Sequence, residues 1–241
     1  MKAIISTAVT MLILSNANAQ APQFLSNTKI QPEFKTMVVE TFKPLKFETK
    51  GENVIWNFGK TKFKANGDEV YVVNPKDVNI NKSFPDATHV KKVMNGGESI
   101  VYEFLKIQGD KYEYLGNVVT DQSFNVTKYS DTQTILKLPF SFGETFNDVF
   151  ESNVGNPLIV TTSYDAYGTL ILPFGTYTNV ALVKCVYDYG VTEYKWYQTG
   201  PYIRLLATQV EHPDYTYTVA FRNELSPAAN SDLTNWLGDN K

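Results

Sequence analysis

One cysteine, two histidines and no excess of basic residues close off several common chemistries. A lone cysteine can form no intrachain disulfide and cannot build a cysteine-rich zinc site. Lys and Arg total 22 against 25 Asp and Glu, a formal charge of -3, and the pI is near 5.5. That balance lacks the basic footprint of a nucleic-acid binder. After the first twenty residues no run approaches the ~18 apolar residues of a membrane-spanning helix, so no membrane span is expected. Helix-length amphipathic windows are scarce, the best being Asp232–Leu237, ended by Gly238.

Catalytic constellations are thin as well. His89 and His212 show no zinc-enzyme spacing, and His212 precedes Pro213, which biases it to an extended or turn conformation. No metal or cofactor is expected. No G-x-S-x-G elbow is present and no serine stands beside a histidine. Cys185 lies in an alternating strand with Ala181, Val183 and Tyr187 on its face, Lys184 on the other, and no nearby basic residue is expected to share its face. It reads as a small buried hydrophobe. Paired carboxylates could serve glycoside hydrolysis at a suitable separation. Glu193 and Glu211 lie on or near strands, but the sequence does not place them relative to each other.

What is present starts at the N-terminus. Lys2 precedes an apolar run, Ala3–Leu14, broken by Ser6, Thr7 and Thr10, and small residues stand at Ala17 and Ala19. This is the layout of a secretory signal peptide, residues 1–19, leaving a soluble exported protein, periplasmic or extracellular. Loss of Lys2 would leave 21 basic against 25 acidic residues, a charge of -4. The two Asn-x-Ser/Thr matches, at Asn81 and Asn125, are taken as chance.

The rest of the chain has a period of two. Residues 20–35 are polar, carry Pro22 and Pro32, and read as an extended arm. Strand patterns follow at 36–42, 99–107, 111–115, 157–164, 168–173, 177–188, 191–199, 201–210 and 215–221. Gly109-Asp110 predicts a hairpin between the second and third of these. In 99–107, Ile100, Tyr102 and Phe104 share one face, and Glu103 interrupts the apolar run of the other. Glycine is expected at positive φ at Gly168 and Gly175, with Pro173 ending a strand. The expected fold is all-β and antiparallel: one large sandwich or a curved, half-barrel-like sheet over 36–222 with few short helices, then a tail at 223–241.

Aromatic residues, 14% of the chain, are the most informative component. Tyr187, Tyr189, Tyr194, Trp196, Tyr197 and Tyr202 crowd one stretch. Alternation puts Tyr194 and Trp196 on one face and Glu193, Lys195 and Tyr197 on the other. Core packing with cross-strand aromatic pairs accounts for many such rings. A fully buried tyrosine needs a hydrogen-bond partner, so some rings are expected at a rim, where they can bind a sugar or an apolar ligand. Tyr164, Tyr167, Trp196 and Tyr202 are the candidate ligand-binding residues, with Arg204 as a polar anchor.

Several motifs carry a resemblance. They are Leu136–Phe146 (LKLPFSFGETF), Tyr164–Pro173 (YDAYGTLILP), Gly175–Val180 (GTYTNV), Glu193–Tyr197 (EYKWY) and Gly200–Leu206 (GPYIRLL). Over roughly residues 50–210 the chain resembles an uncharacterised domain of secreted Bacteroidetes proteins, often found ahead of a type IX secretion sorting domain. The resemblance implies export and no established activity, so it transfers no catalytic residue. The order of these elements is also similar to exported half-barrel domains distantly like lipoprotein carriers, which implies a curved sheet around an apolar groove. The expected function is therefore non-enzymatic binding of a glycan, an apolar molecule or an envelope protein. A glycan hydrolase and a structural envelope module are the alternatives.

Overall fold

A computed structural model of the chain describes residues 21–30, 35–95, 99–120 and 125–223. The leader at 1–19 and the helix expected at Asp232–Leu237 lie outside the described residues. Among these residues there are fourteen strands and two short 3-10 turns, Pro75–Asp77 and Asn81–Ser83. The strands are β1 (Lys29–Ile30), β2 (Thr36–Thr41), β3 (Gly51–Asn57), β4 (Lys64–Val73), β5 (His89–Asn95), β6 (Ser99–Gln108) and β7 (Lys111–Thr120). They continue with β8 (Asn125–Lys137), β9 (Thr145–Ser152), β10 (Leu158–Leu172), β11 (Gly175–Tyr187), β12 (Thr192–Gln198), β13 (Tyr202–Glu211) and β14 (Thr216–Asn223).

The all-β antiparallel expectation holds, and the curvature goes to completion. Strands β4 to β13 pair each with the next, β4 pairs β2, β2 pairs β14, and β14 pairs β13. The result is a closed ring of twelve strands. β1 adds in parallel to the start of β13, and β3 adds in parallel to the second half of β10. Closure removes the free edges that an open sheet of this size would expose. Its interior, the lumen, carries a packed apolar cluster together with charged side chains that keep part of their surface exposed.

The predicted Gly109-Asp110 hairpin joins β6 to β7, with Gly109 at φ +65. The two patterns at 157–164 and 168–173 are one strand, β10. A bulge at Asp165 switches the alternation, so Tyr164 and Tyr167 both point into the ring while Ala166 points out. The seam between β8 and β9 is sparse, pairing only at Tyr129 with Ser152 and Asp131 with Glu151. Beyond that, the Asp148 carboxylate takes the place of a strand carbonyl and accepts the Thr134 N–H at 2.8 Å.

Gly168 corrects the expected turn role. Its φ is not positive, and a Cβ there would lie 2.6 Å from the backbone nitrogen of Val54. Glycine lets β3 lie directly against β10. Gly175 likewise has no positive φ.

Three apolar clusters hold the barrel. One lies inside, at the end where β8 stops and β9 begins. Phe24, from the segment expected to be an arm, is fully buried there and pairs through both backbone bonds with Phe140. It meets Tyr164 and Tyr197 edge-on at 5.7 Å each, and the Tyr164 hydroxyl donates to the Pro22 carbonyl at 2.7 Å. This N-terminal segment plugs the barrel. The second cluster lies outside, where Phe47, Trp56 and Phe58 from the 42–63 segment cover Leu182 and Trp196. The third, also outside, stacks Phe84 on Phe104 at 4.2 Å.

Candidate functional site: the barrel lumen

Alternation and register sort each strand into an inner and an outer row. Along β12 the inner row is Glu193, Lys195 and Tyr197, and along β11 it is Tyr187, Cys185, Val183 and Ala181. Both expected face assignments in these strands hold. Contacts between strands that are not neighbours identify this face as the interior: Gln133 on β8 donates from Nε2 to the Tyr187 hydroxyl on β11 at 3.3 Å. The inner row also takes in Lys91, Glu103, Asn117 and Tyr114 through the successive pairs of β5, β6 and β7. On the other side, Thr208, Tyr217 and Glu40 continue it.

The lumen is graded along its axis. Near the end formed by the 188–191 and 212–215 turns, it carries Tyr129, Tyr187, Glu193 and Tyr217. Farther in stand Gln133, Cys185, Lys195 and Thr208. Below them the Phe24 plug, with Leu136, Phe140, Tyr164 and Tyr197, fills the space. Two ion pairs sit in this interior: Lys195 Nζ to Glu193 Oε2 at 2.6 Å and Lys91 Nζ to Glu103 Oε2 at 2.8 Å. Glu193 Oε2 also accepts the Tyr187 hydroxyl at 3.0 Å. These inward charged side chains keep 17–29% of their surface exposed. Inside a closed ring, that exposure means solvent enters the lumen.

The electrostatics follow from this setting. Burial opposes the charge of Lys195, but Cys185, Tyr187 and Glu193 around it outweigh burial and hold the ammonium well above the ordinary lysine range. Burial pushes the Cys185 thiol up, against the smaller opposing pull of Lys195. Lys195 does stand on the cysteine's face, on the neighbouring strand, which a reading of one strand could not see. The thiol also accepts the Thr162 hydroxyl at 3.7 Å. A thiol reagent at pH 8 is therefore expected to leave Cys185 unmodified in the native protein and to label it only after denaturant is added. Rapid labelling without denaturant would contradict this burial.

Burial also raises Tyr112, Tyr164, Tyr187 and Tyr197 above the ordinary tyrosine value. A group whose folded pKa is raised contributes its full stability below the unfolded pKa and loses it as pH rises toward the folded value. Unfolding free energy is thus expected to hold to about pH 9 and to fall above about pH 10, where unfolded tyrosine ionises. Tyrosinate absorbance during the same titration checks it. A full set of tyrosines ionising with ordinary midpoints in the folded protein would refute it.

The five candidate binding residues do not form one surface. Tyr164 and Tyr167 point inward as part of the plug, and the Tyr167 hydroxyl donates to Glu52 Oε2 at 2.8 Å. Trp196 points outward and is fully buried under Phe47, Trp56 and Phe58. Arg204 is half-buried on the outer face, with its guanidinium 5.7 Å from the Tyr177 ring centre. Tyr202 is exposed and lines a shallow pocket with Leu25, Asn27, Lys29, Gly200 and Pro201 at the plugged end. Glu193 and Glu211 lie on opposite faces of the wall, for Glu211 takes the outward Gln209 amide at 2.9 Å.

The residues that do converge were only partly visible in sequence. Glu103, read as a break in an apolar face, is a lumen acid. Lys91, Gln133 and Tyr217 belong to strands far apart in the chain, and barrel closure alone brings them together. Comparison with family models, with curated proteins and with solved structures finds no match to this chain.

Proposed function

We propose that the chain is an exported, non-enzymatic binding protein that holds a glycan in the lumen of its barrel. The single observation that supports this most is the solvent-reached interior, where tyrosine rings alternate with hydrogen-bonded charge pairs. A sugar presents both C–H faces and hydroxyls that donate and accept. Tyr217 offers ring surface, Glu193 an acceptor, and Lys195 and Gln133 donors. An apolar ligand, the other expectation, would strip water from these polar groups without replacing their hydrogen bonds. An anionic ligand would meet Glu40, Glu103, Asp148 and Glu193 against Lys91 and Lys195, with both lysines already paired.

The binding reading is favoured over a hydrolase because Glu103 and Glu193 are each held by an ammonium and Glu193 also by a tyrosine hydroxyl. Export rests on the leader pattern at 1–19. The resemblance to a secreted Bacteroidetes domain agrees with that destination.

A glycan array and lipid-extraction mass spectrometry on the purified protein test the proposal. Glycan binding is expected, and Glu193→Gln is expected to weaken it roughly tenfold or more by removing a charged hydrogen-bond acceptor. Its melting temperature should also fall, because the largely buried Lys195 ammonium and the Tyr187 hydroxyl lose their carboxylate partner, and an unchanged circular dichroism spectrum at assay temperature shows that the variant is folded. Co-purified lipid with no glycan bound would overturn the proposal. Shortened glycans after incubation would show an enzyme instead.

A further inference from the structure

The lumen has a direction. Its partly exposed charges, Lys91, Glu103, Glu193 and Lys195, lie toward the end of the 188–191 and 212–215 turns, beside buried Phe150, Val160 and Tyr187, and the opposite end is filled by the Phe24 plug. A ligand that enters past Tyr217 and Glu193 therefore ends its path at Phe24, Tyr164 and Tyr197. The interior of a polymer needs a way in and a way out, and below Glu193 the way out is blocked.

The entrance carries a second observation. Tyr189 is 52% exposed, Tyr215 54% and Phe42 69%. Each continues an inward ring outward. Tyr189 lies against Tyr187 at 5.2 Å, Tyr215 against Tyr217 at 6.0 Å, and Phe42 against Tyr217 at 6.5 Å. His212 extends the second series, stacked on Tyr215 at 4.6 Å. Aromatic surface left wet forgoes about 25 cal/mol per Å² of burial free energy, and none of these three rings belongs to the apolar clusters.

We propose that the barrel binds the end of a glycan chain, with its terminal unit at Glu193 and Lys195 and the following units over Tyr189 and Tyr215 at the rim. This rests on the glycan-binding reading and adds polarity and length to it. The lumen charges select the terminal unit. The rim rings add affinity by stacking on successive units.

The test uses linear oligosaccharides of increasing length from glucan, mannan, galactan, xylan and N-acetylglucosamine backbones, together with cyclic glucans that have no ends. For the backbone that binds, affinity is expected to rise over the first few units and then level. The cyclic form or end-blocked chains should not bind. Tyr189→Ala and Tyr215→Ala should each remove roughly fivefold of the gain with length, while the shortest ligand keeps its affinity. Both residues are exposed, and unchanged melting temperatures would confirm that the variants fold. Equal binding of cyclic or end-blocked chains, or no gain with length, overturns the chain-end proposal while glycan binding stands. No binding to any oligosaccharide, short or long, overturns the underlying reading.

Discussion

Replacing Phe24 by alanine is expected to destabilise the protein by about 3–5 kcal/mol, the range for deleting a fully buried aromatic ring. The ring has no exposed surface and touches Phe140, Tyr164 and Tyr197, which come from three separate parts of the chain. Its removal leaves a void at the floor of the lumen, and β-strands that close a ring cannot collapse freely to fill it. For a domain of this size the loss corresponds to a melting temperature lower by roughly 10 °C. Thermal denaturation followed by circular dichroism measures it. A shift of only a degree or two would mean that the N-terminal segment is not part of the folded core.

Gly168→Val is the second large effect. A Cβ at this position meets the backbone of Val54, where no side-chain rotation can give relief. Either β10 shifts or β3 leaves it. The expected cost is about 3 kcal/mol, at the upper end of the usual range for overpacking. β3 brings Trp56, whose indole N–H donates to the Glu48 carbonyl at 2.9 Å and whose ring covers Trp196. Detachment should therefore speed hydrogen exchange over residues 51–57 and red-shift tryptophan emission, while the lumen face of β10 stays protected. Unchanged exchange in 51–57 would show that the two strands separate elsewhere at little cost.

The two substitutions mark where the sequence was readable. Alternation in 192–198 and 181–187 assigned inner and outer rows correctly, because side-chain direction in a strand depends only on parity. It failed at Asp165, where a bulge inserts one residue and exchanges the faces. Gly168 looked like a turn signal because glycine serves both turns and close backbone contacts, and only the position of β3 separates the two. Phe24 looked like part of a polar arm because Phe24 and Leu25, side by side in a polar stretch, show no periodicity.

The candidate site was legible only in its ingredients. The tyrosine-rich stretch at 187–197 does supply the lumen wall, yet four of the five residues chosen for binding serve the plug, the outer cover or the outer face of β13. Trp196 and Glu193 are three positions apart and sit on opposite sides of the wall. Tertiary closure turned Glu103 and Lys91 from isolated strand charges into an interior pair.

By itself the sequence determined the class of fold and its polarity pattern. Period-two alternation, turn residues at short intervals and one cysteine specify a strand-built fold held by its core, because parity and steric preference act within a few residues. Whether those strands form a sandwich, an open curve or a ring was decided only by the pairings of β14 with β2 and of β2 with β4. Those pairings join residues near 40 to residues near 220. They depend on accumulated twist and register over the whole sheet, and no local pattern encodes that sum. The interior face and its Phe24 plug follow from the closure.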